Sequence, residues 1–261
     1  MKHICIYIIS LVVIISSSCT SQLPRHGGPV TDPKYILSSF NNFWAYWYSE
    51  VKLSEDFVPF NENDSIVSKD YFLKEVSSGK YFPLKLKSNT SLSYYKLYKI
   101  SNTVDSSIKD DIVMRFGELS YRFFQMEGKP LPGFNFVDIN GNVYNKETCK
   151  GKIVVLNFWF IGCLACQREM PELNKMVASY KKRNDVVFLS IAPDNADELE
   201  KFLGKTPFNY AAIANKNNYV MDTLNINMFP TQMIVNRNGE IAKVPEDYKE
   251  LEIELRKELS K

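Results

Sequence analysis

Apolar and polar positions alternate along the chain with changing rhythm, and each rhythm predicts a different element. Residues 4–15 are almost uninterruptedly apolar. Further on, Phe40, Phe43, Trp44, Trp47 and Val51 recur at helical spacing, and Asp32-Pro33 ahead of them supplies a cap followed by proline at the first helical position, so a helix with one aromatic face is expected to begin there. An apolar segment at Phe57-Val58-Pro59-Phe60 precedes a polar turn over 61–65, a short helix is predicted for 68–77, and Tyr94 to Ile100 reads as a strand. Ser106 or Ser107 is placed to cap a helix reaching about Met126, ended by Gly128-Lys129-Pro130.

After Pro130 the pattern shortens and becomes regular. Phe134 to Asp138 and Val143-Tyr144 flank Ile139-Asn140-Gly141-Asn142 and predict a hairpin with an Asn-Gly turn. A buried strand over 153–159 is followed by a helix from Cys163 to about Lys182, a strand over 186–191 and a helix around 196–203. A short strand at 210–213, a helical turn at 219–224, a second hairpin (232–235 and 240–242, joined by Asn238-Gly239) and a charged amphipathic helix from Glu246 complete the order. Strands alternating with helices and ending in a hairpin predict an α/β fold, a mixed sheet covered by helices on both faces. Four stretches are therefore expected: a targeting segment (1–18), a tether of linker composition (19–31), a smaller α+β region (32–129) whose role the pattern does not reveal, and the α/β domain (130–261).

Charge narrows the function classes. Thirty-two basic and 30 acidic residues are mixed along the 261-residue chain for a formal charge of +2, so no basic patch argues for nucleic acid. Met1-Lys2-His3 followed by the apolar run is too short for the roughly 20 residues that span a bilayer and reads as a secretory signal. Ser16-Ser17-Ser18-Cys19 resembles the lipobox of bacterial lipoproteins, which implies lipidation of Cys19, although Ser16 stands where such boxes usually carry Leu. An ordinary cleaved signal leaving a soluble periplasmic protein, and an uncleaved anchor, are the alternatives. All three place the folded part outside the cytoplasm, the first on the periplasmic face of a bacterial membrane.

Five cysteines are present, and with Cys5 and Cys19 in the leader the fold keeps Cys149, Cys163 and Cys166. That is too few for a disulfide framework. Cys163-Leu164-Ala165-Cys166 directly follows a strand and opens a helix, where free backbone N–H groups and the helix dipole favour a thiolate. Zinc would need two further ligands, yet the only histidines are His3 and His26, in the leader and tether. A c-type haem would need His where Gln167 stands. A static bridge closing so small a ring contributes little loop entropy. Redox exchange is the remaining chemistry, with Cys163 as the more exposed attacking thiolate and Cys166 as the resolving thiol. The direction of electron flow is open at this point.

The string Asn157-Phe158-Trp159 through Cys163-Leu164-Ala165-Cys166-Gln167-Arg168-Glu169-Met170-Pro171 resembles the signature of thioredoxin-fold thiol–disulfide oxidoreductases of the TlpA/ResA type, over about residues 130–261. The resemblance implies a membrane-anchored reductase of protein disulfides, including those of apocytochromes c before haem attachment, recharged by a membrane thiol donor of the DsbD/CcdA type, with no cofactor and no metal. It makes Glu169 the acidic residue beside the thiol pair, three residues past Cys166 and able to exchange a proton with it. Pro171 matches the helix proline. Pro230, in Met228-Phe229-Pro230-Thr231, matches the family's cis-proline, so that Phe229 and Pro230 on one side and Trp159 and Gly162 on the other are the expected substrate-binding residues.

Three departures stand out. Gly162 replaces the Trp usual before the first Cys, Ala165 replaces the frequent Pro, and Asn157 stands where cytoplasmic thioredoxins carry a buried Asp. Cys149 is expected to be a buried, inert thiol. Peroxidase chemistry of the related peroxiredoxins needs Thr three residues before the reactive Cys, where this chain has Phe160. The readings that compete with a reductase are a dithiol oxidase and an envelope binding or scaffold protein with an accessory thioredoxin-like domain.

Overall fold

The computed structural model describes residues 26–111 and 116–261. The expected targeting segment, Cys19 and the start of the tether lie outside the described residues. No helix among the described residues is long and apolar enough to cross a membrane.

The aromatic stripe near the N-terminus forms two helices where one was expected. Asp32 caps α1 (Pro33–Ile36), but Ser39 accepts the Asn42 N–H and starts α2 (Phe40–Glu50) afresh, while the Ser38 hydroxyl donates to Tyr35 O at 2.8 Å. Two adjacent serines offer the backbone local partners that compete with a continuous helix. Strand β3 (Ser93–Lys99) lies between β1 (Phe57–Phe60), parallel to it, and β2 (Tyr81–Leu86), antiparallel to it. The pattern did not predict β2, because Pro83 sits inside it. A proline is tolerated on this strand at the side of a three-stranded sheet, and Tyr46 satisfies the backbone there, donating to Pro83 O at 2.8 Å and accepting from Lys85 N.

Residues 27–30, expected within a free tether, pair instead along β2: Gly27 N donates to Lys87 O, Lys87 N to Gly28 O and Val30 N to Lys85 O. The approach needs glycine, since a Cβ at Gly27 would sit 2.9 Å from the Lys87 Cβ. Helices α3 (Lys69–Ser77), α4 (Ser106–Asp111) and α5 (Glu118–Met126) complete this half. Asp105, not Ser106 or Ser107, caps α4 by accepting from Ser107 N and Oγ. The core between sheet and helices is aromatic, with Phe43, Phe60, Phe72, Phe82, Tyr94 and Tyr95 fully buried or nearly so.

Beyond residue 128 a five-stranded sheet forms with the order β10–β9–β6–β7–β8. The hairpin β4 (Asn135–Val137) and β5 (Val143–Asn145) precedes it. Strand β6 (Ile153–Phe158) is central, parallel to β7 (Val186–Ile191), which is parallel to β8 (Ala211–Ile213). On its other side β6 is antiparallel to β9 (Thr231–Val235), which pairs with β10 (Ile241–Lys243). Every β6 residue is buried, as expected of a strand covered on both faces. Val154, Leu156 and Phe158 point to one face, with Phe134, Phe136 and the π-helical turn Tyr219–Thr223. Ile153, Val155 and the following Trp159 point to the other, against α6 (Leu164–Ser179), α7 (Ala196–Leu203) and α8 (Tyr248–Leu259). This is the strand and helix order of a thioredoxin-like fold.

The two halves meet through backbone and carboxylates. Gly128 N donates to Ile241 O, Ile241 N to Lys129 O and Leu131 N to Gly239 O, so the chain leaving α5 runs along β10. Glu246 accepts from Leu53 N and Ser54 N, and Glu250 accepts from Ser54 Oγ at 2.6 Å and Glu246 N at 2.7 Å. Burial pushes the Glu250 carboxyl up to about 7, with neighbouring Glu246 adding to the shift and those two hydrogen bonds and Lys243 opposing it.

The folded state therefore holds a proton on Glu250 that the unfolded chain releases near 4.5. Its stabilising contribution is complete below that value and is lost as pH rises through about 7. We expect Glu250→Gln, whose carbonyl can still accept both hydrogen bonds, to exceed the parent chain in stability at pH 8 by about 1–3 kcal/mol and to converge with it near pH 5. Denaturant melts at the two pH values check this, and equal midpoints at pH 8 would refute it.

Candidate active site

Strand β6 ends at Phe158, and the next four residues carry the chain past the end of the sheet to Cys163, the N-cap of α6. Cys163 and Cys166 form a disulfide, S–S 2.04 Å. The Cys166 N–H donates to the Cys163 Sγ at 3.1 Å. In a strand–turn–helix of this kind the sulfur at the N-cap occupies the place of a capping oxygen and receives one of the helix's free donors, which stabilises negative charge on it. Cys163 is 6% exposed and Cys166 2%, so the sulfur that caps the helix is also the nearer to solvent.

The turn itself is pinned from both sides. Ile161 N donates to Asp194 Oδ2 at 3.1 Å, and Gln167 Nε2 donates to Ile161 O at 2.6 Å. Asp194 follows β7 and Gln167 lies on α6, so the loop carrying the thiol is fixed between the end of the sheet and the helix it introduces. Around the disulfide, Gly162 and Ala165 are exposed and Leu164 is 65% exposed, leaving an apolar rim. A Cβ on Gly162 would meet the Phe160 ring at 3.2 Å. Phe160 in turn packs edge-on against Phe229, ring centroids 5.3 Å apart. The Phe229–Pro230 peptide is cis, and Phe229 packs against the same apolar cluster as both cysteines.

Trp159 does not line this rim. It is fully buried, packed against Phe202 at 5.6 Å and Phe208 at 5.9 Å, because it continues the inward-facing side of β6. Its expected place among the substrate-binding residues is corrected to that of a platform beneath the loop.

Glu169 is half-buried on α6, with Oε2 accepting from Gln232 Nε2 at 2.9 Å. Burial raises its carboxyl above the ordinary carboxylate range, the Gln232 hydrogen bond works against that rise, and the negative charge of Asp247 adds to it. Cys149 is a free, buried thiol whose titration burial pushes up, away from the disulfide in a cleft with Phe134, Lys150 and Arg237. Sequence reasoning missed Phe160, Gln167, Asp194 and Gln232. The signal for Gln232 was present, since it is a polar residue within the otherwise apolar end of β9.

Residues 128–244 match the AhpC/TSA family model. Over 117 residues the chain is 27% identical to the thiol-disulfide oxidoreductase ResA of Geobacillus kaustophilus, covering 45% of this chain and 67% of that protein. It is 29% identical to the ResA of Halalkalibacterium halodurans over 117 residues, 45% of this chain and 66% of that one. The matched stretch thus spans about two thirds of these relatives' own length. Among solved structures, the thioredoxin domain of a thiol-disulfide oxidoreductase from Bacteroides vulgatus superposes with a TM-score of 0.45 at 23% identity, covering 50% of this chain and 96% of that one. Residues 128–244, which hold the Cys-x-x-Cys disulfide at the N-terminus of α6, are thus similar to the AhpC/TSA family and to thiol–disulfide oxidoreductases of the ResA type.

Proposed function

We propose that the chain is an extracytoplasmic reductase of protein disulfides, held at the periplasmic face of a bacterial membrane through a lipid on Cys19 and recharged by a membrane thiol donor of the DsbD/CcdA type. The observation that carries the redox step is the Cys163 sulfur at the helix N-cap, accepting the Cys166 N–H at 3.1 Å within an apolar rim. A thiolate held there attacks a substrate disulfide, forming a Cys163 mixed disulfide and releasing one substrate thiolate. Cys166 then loses its proton and attacks the Cys163 sulfur, which breaks the mixed disulfide, frees the second substrate thiolate and leaves the Cys163–Cys166 bridge. Two electrons pass from the dithiol to the substrate. The Glu169 carboxyl, raised above the ordinary carboxylate range by burial and one helical turn from Cys166, is suited to take that proton.

The exposed Leu164 and Gly162, with Phe229 and Pro230 opposite, form the surface on which an unfolded or extended protein segment would lie. Support for an apocytochrome c as that segment comes from the resemblance to TlpA/ResA proteins. The test is the direction of exchange: the reduced chain is expected to reduce the interchain disulfides of insulin, while the oxidised chain leaves a reduced, unfolded test protein unoxidised. Rapid oxidation of the test protein with no insulin reduction would replace the reductase reading with the dithiol oxidase.

A further inference from the structure

The face of the sheet beneath α6 carries a row of polar side chains in an otherwise apolar layer. Gln232 on β9, Asn157 on β6 and Ser190 on β7 are register partners, Asn157 with Gln232 on one side and with Ser190 on the other. All three are 1% exposed or less. A buried amide costs free energy unless its partners compensate it, so Gln232 needs a reason to be there.

Its contacts supply one. Gln232 Nε2 donates to Glu169 Oε2 at 2.9 Å and lies 3.3 Å from Asn157 Oδ1. The amide must point its nitrogen this way, because a flipped amide would set its oxygen against a carboxylate. Gln232 also follows Pro230 by two residues, so one side chain ties the strand carrying the substrate-facing loop to the helix carrying the thiols. Tyr210, 4% exposed, has a hydroxyl without a hydrogen-bond partner among the described residues, and its titration is raised by burial first and by the Glu169 charge second. Gln232 Oε1 is likewise buried and, among the described residues, unpartnered.

We propose that Gln232 is a positioning residue for thiol–disulfide exchange: its amide fixes the Glu169 carboxylate against the floor of the redox site and stabilises the ionised form that receives the Cys166 proton. The assignment rests on the exchange chemistry proposed above. In the resolving step, Glu169 accepts the proton from the Cys166 thiol, the Cys166 thiolate attacks the Cys163 sulfur, and the substrate thiolate leaves. Without the amide donor, Glu169 would ionise at a higher pH, and proton acceptance would move with it. The other charged and titratable groups that act on or feel Glu169 are Asp247 at the start of α8 and Tyr210 before β8, while Cys166 lies three residues before it on α6. Neither Asp247 nor Tyr210 donates a hydrogen bond to the carboxylate.

The test is a pH profile of insulin reduction by the full chain, carrying Gln232→Met, Glu169→Gln or both. Gln232→Met keeps the side-chain length while removing the donor. The acidic limb of the profile is expected to move to higher pH in Gln232→Met and to be absent in both Glu169→Gln and the double variant, which should superimpose. An unmoved limb, or an equal displacement by Gln232→Met with and without Glu169, would overturn the proposal.

A measurement on the unsubstituted protein guards against misfolding of the variants. The Gln232 side-chain amide resonance is expected to titrate with the same midpoint as the Glu169 carboxyl carbon, and an amide that stays flat across the Glu169 transition would overturn the assignment. Absence of insulin reduction at every pH would instead sink the exchange reading, leaving the NMR coupling to be judged by itself.

Discussion

Cys163→Ser is expected to abolish disulfide turnover, by on the order of 10³-fold or more. A serine hydroxyl at the helix N-cap can accept the Cys166 N–H, so the fold is kept, but it supplies no thiolate. Cys166, 2% exposed, cannot be reached by a substrate sulfur in its place. Cys166→Ser is predicted to behave differently. Its Cys163 is still activated by the helix, so one mixed disulfide forms per chain and then persists, visible as a covalent adduct on a non-reducing gel. Multiple turnovers by Cys166→Ser, or equal residual rates in the two variants, would contradict the assigned order of attack and resolution. A scaffold that uses this domain only for binding would keep its function in both.

The second large effect falls on Trp159 and concerns stability. Its indole is fully buried against Phe202 and Phe208, and truncating an aromatic side chain in such a place costs about 3–5 kcal/mol. Trp159→Ala is expected to lose that much in chemical denaturation. Trp159→Phe should lose far less, since the buried indole Nε1 has no hydrogen-bond partner among the described residues to forfeit. Its KM for a protein disulfide should match that of the parent chain. A KM raised severalfold in Trp159→Phe with unchanged stability would return Trp159 to the substrate surface.

These two residues show where the sequence was legible. The redox pair could be read because its chemistry is local: a buried strand, two thiols three apart and a helix-forming stretch are adjacent in the chain, and so are the donors that act on Cys163. The order of strands and helices from Phe134 onward was legible for the same reason, each apolar run being matched to one element. Trp159 was misplaced because adjacency to the motif says nothing of which way a side chain points once the strand has ended.

The contacts that hold the loop, Ile161 N to Asp194 and Glu169 to Gln232, join positions 33 and 63 residues apart, and no local pattern announces them. In the first half, Pro83 concealed β2 because its cost depends on the strand's place in the sheet. Ser39 divided the aromatic helix through a side-chain hydrogen bond that spacing alone does not register. The pairing of residues 27–30 with β2 depends on a close backbone approach at Gly27, which composition read as linker.

The central claim is that the Cys163/Cys166 couple delivers electrons to protein disulfides, and its equilibrium with a glutathione or dithiothreitol buffer of known potential tests it most directly. The account predicts a reduction potential near or below that of thioredoxin, about −270 mV. A value near that of DsbA, about −120 mV, would contradict it and make the chain an oxidant of thiols.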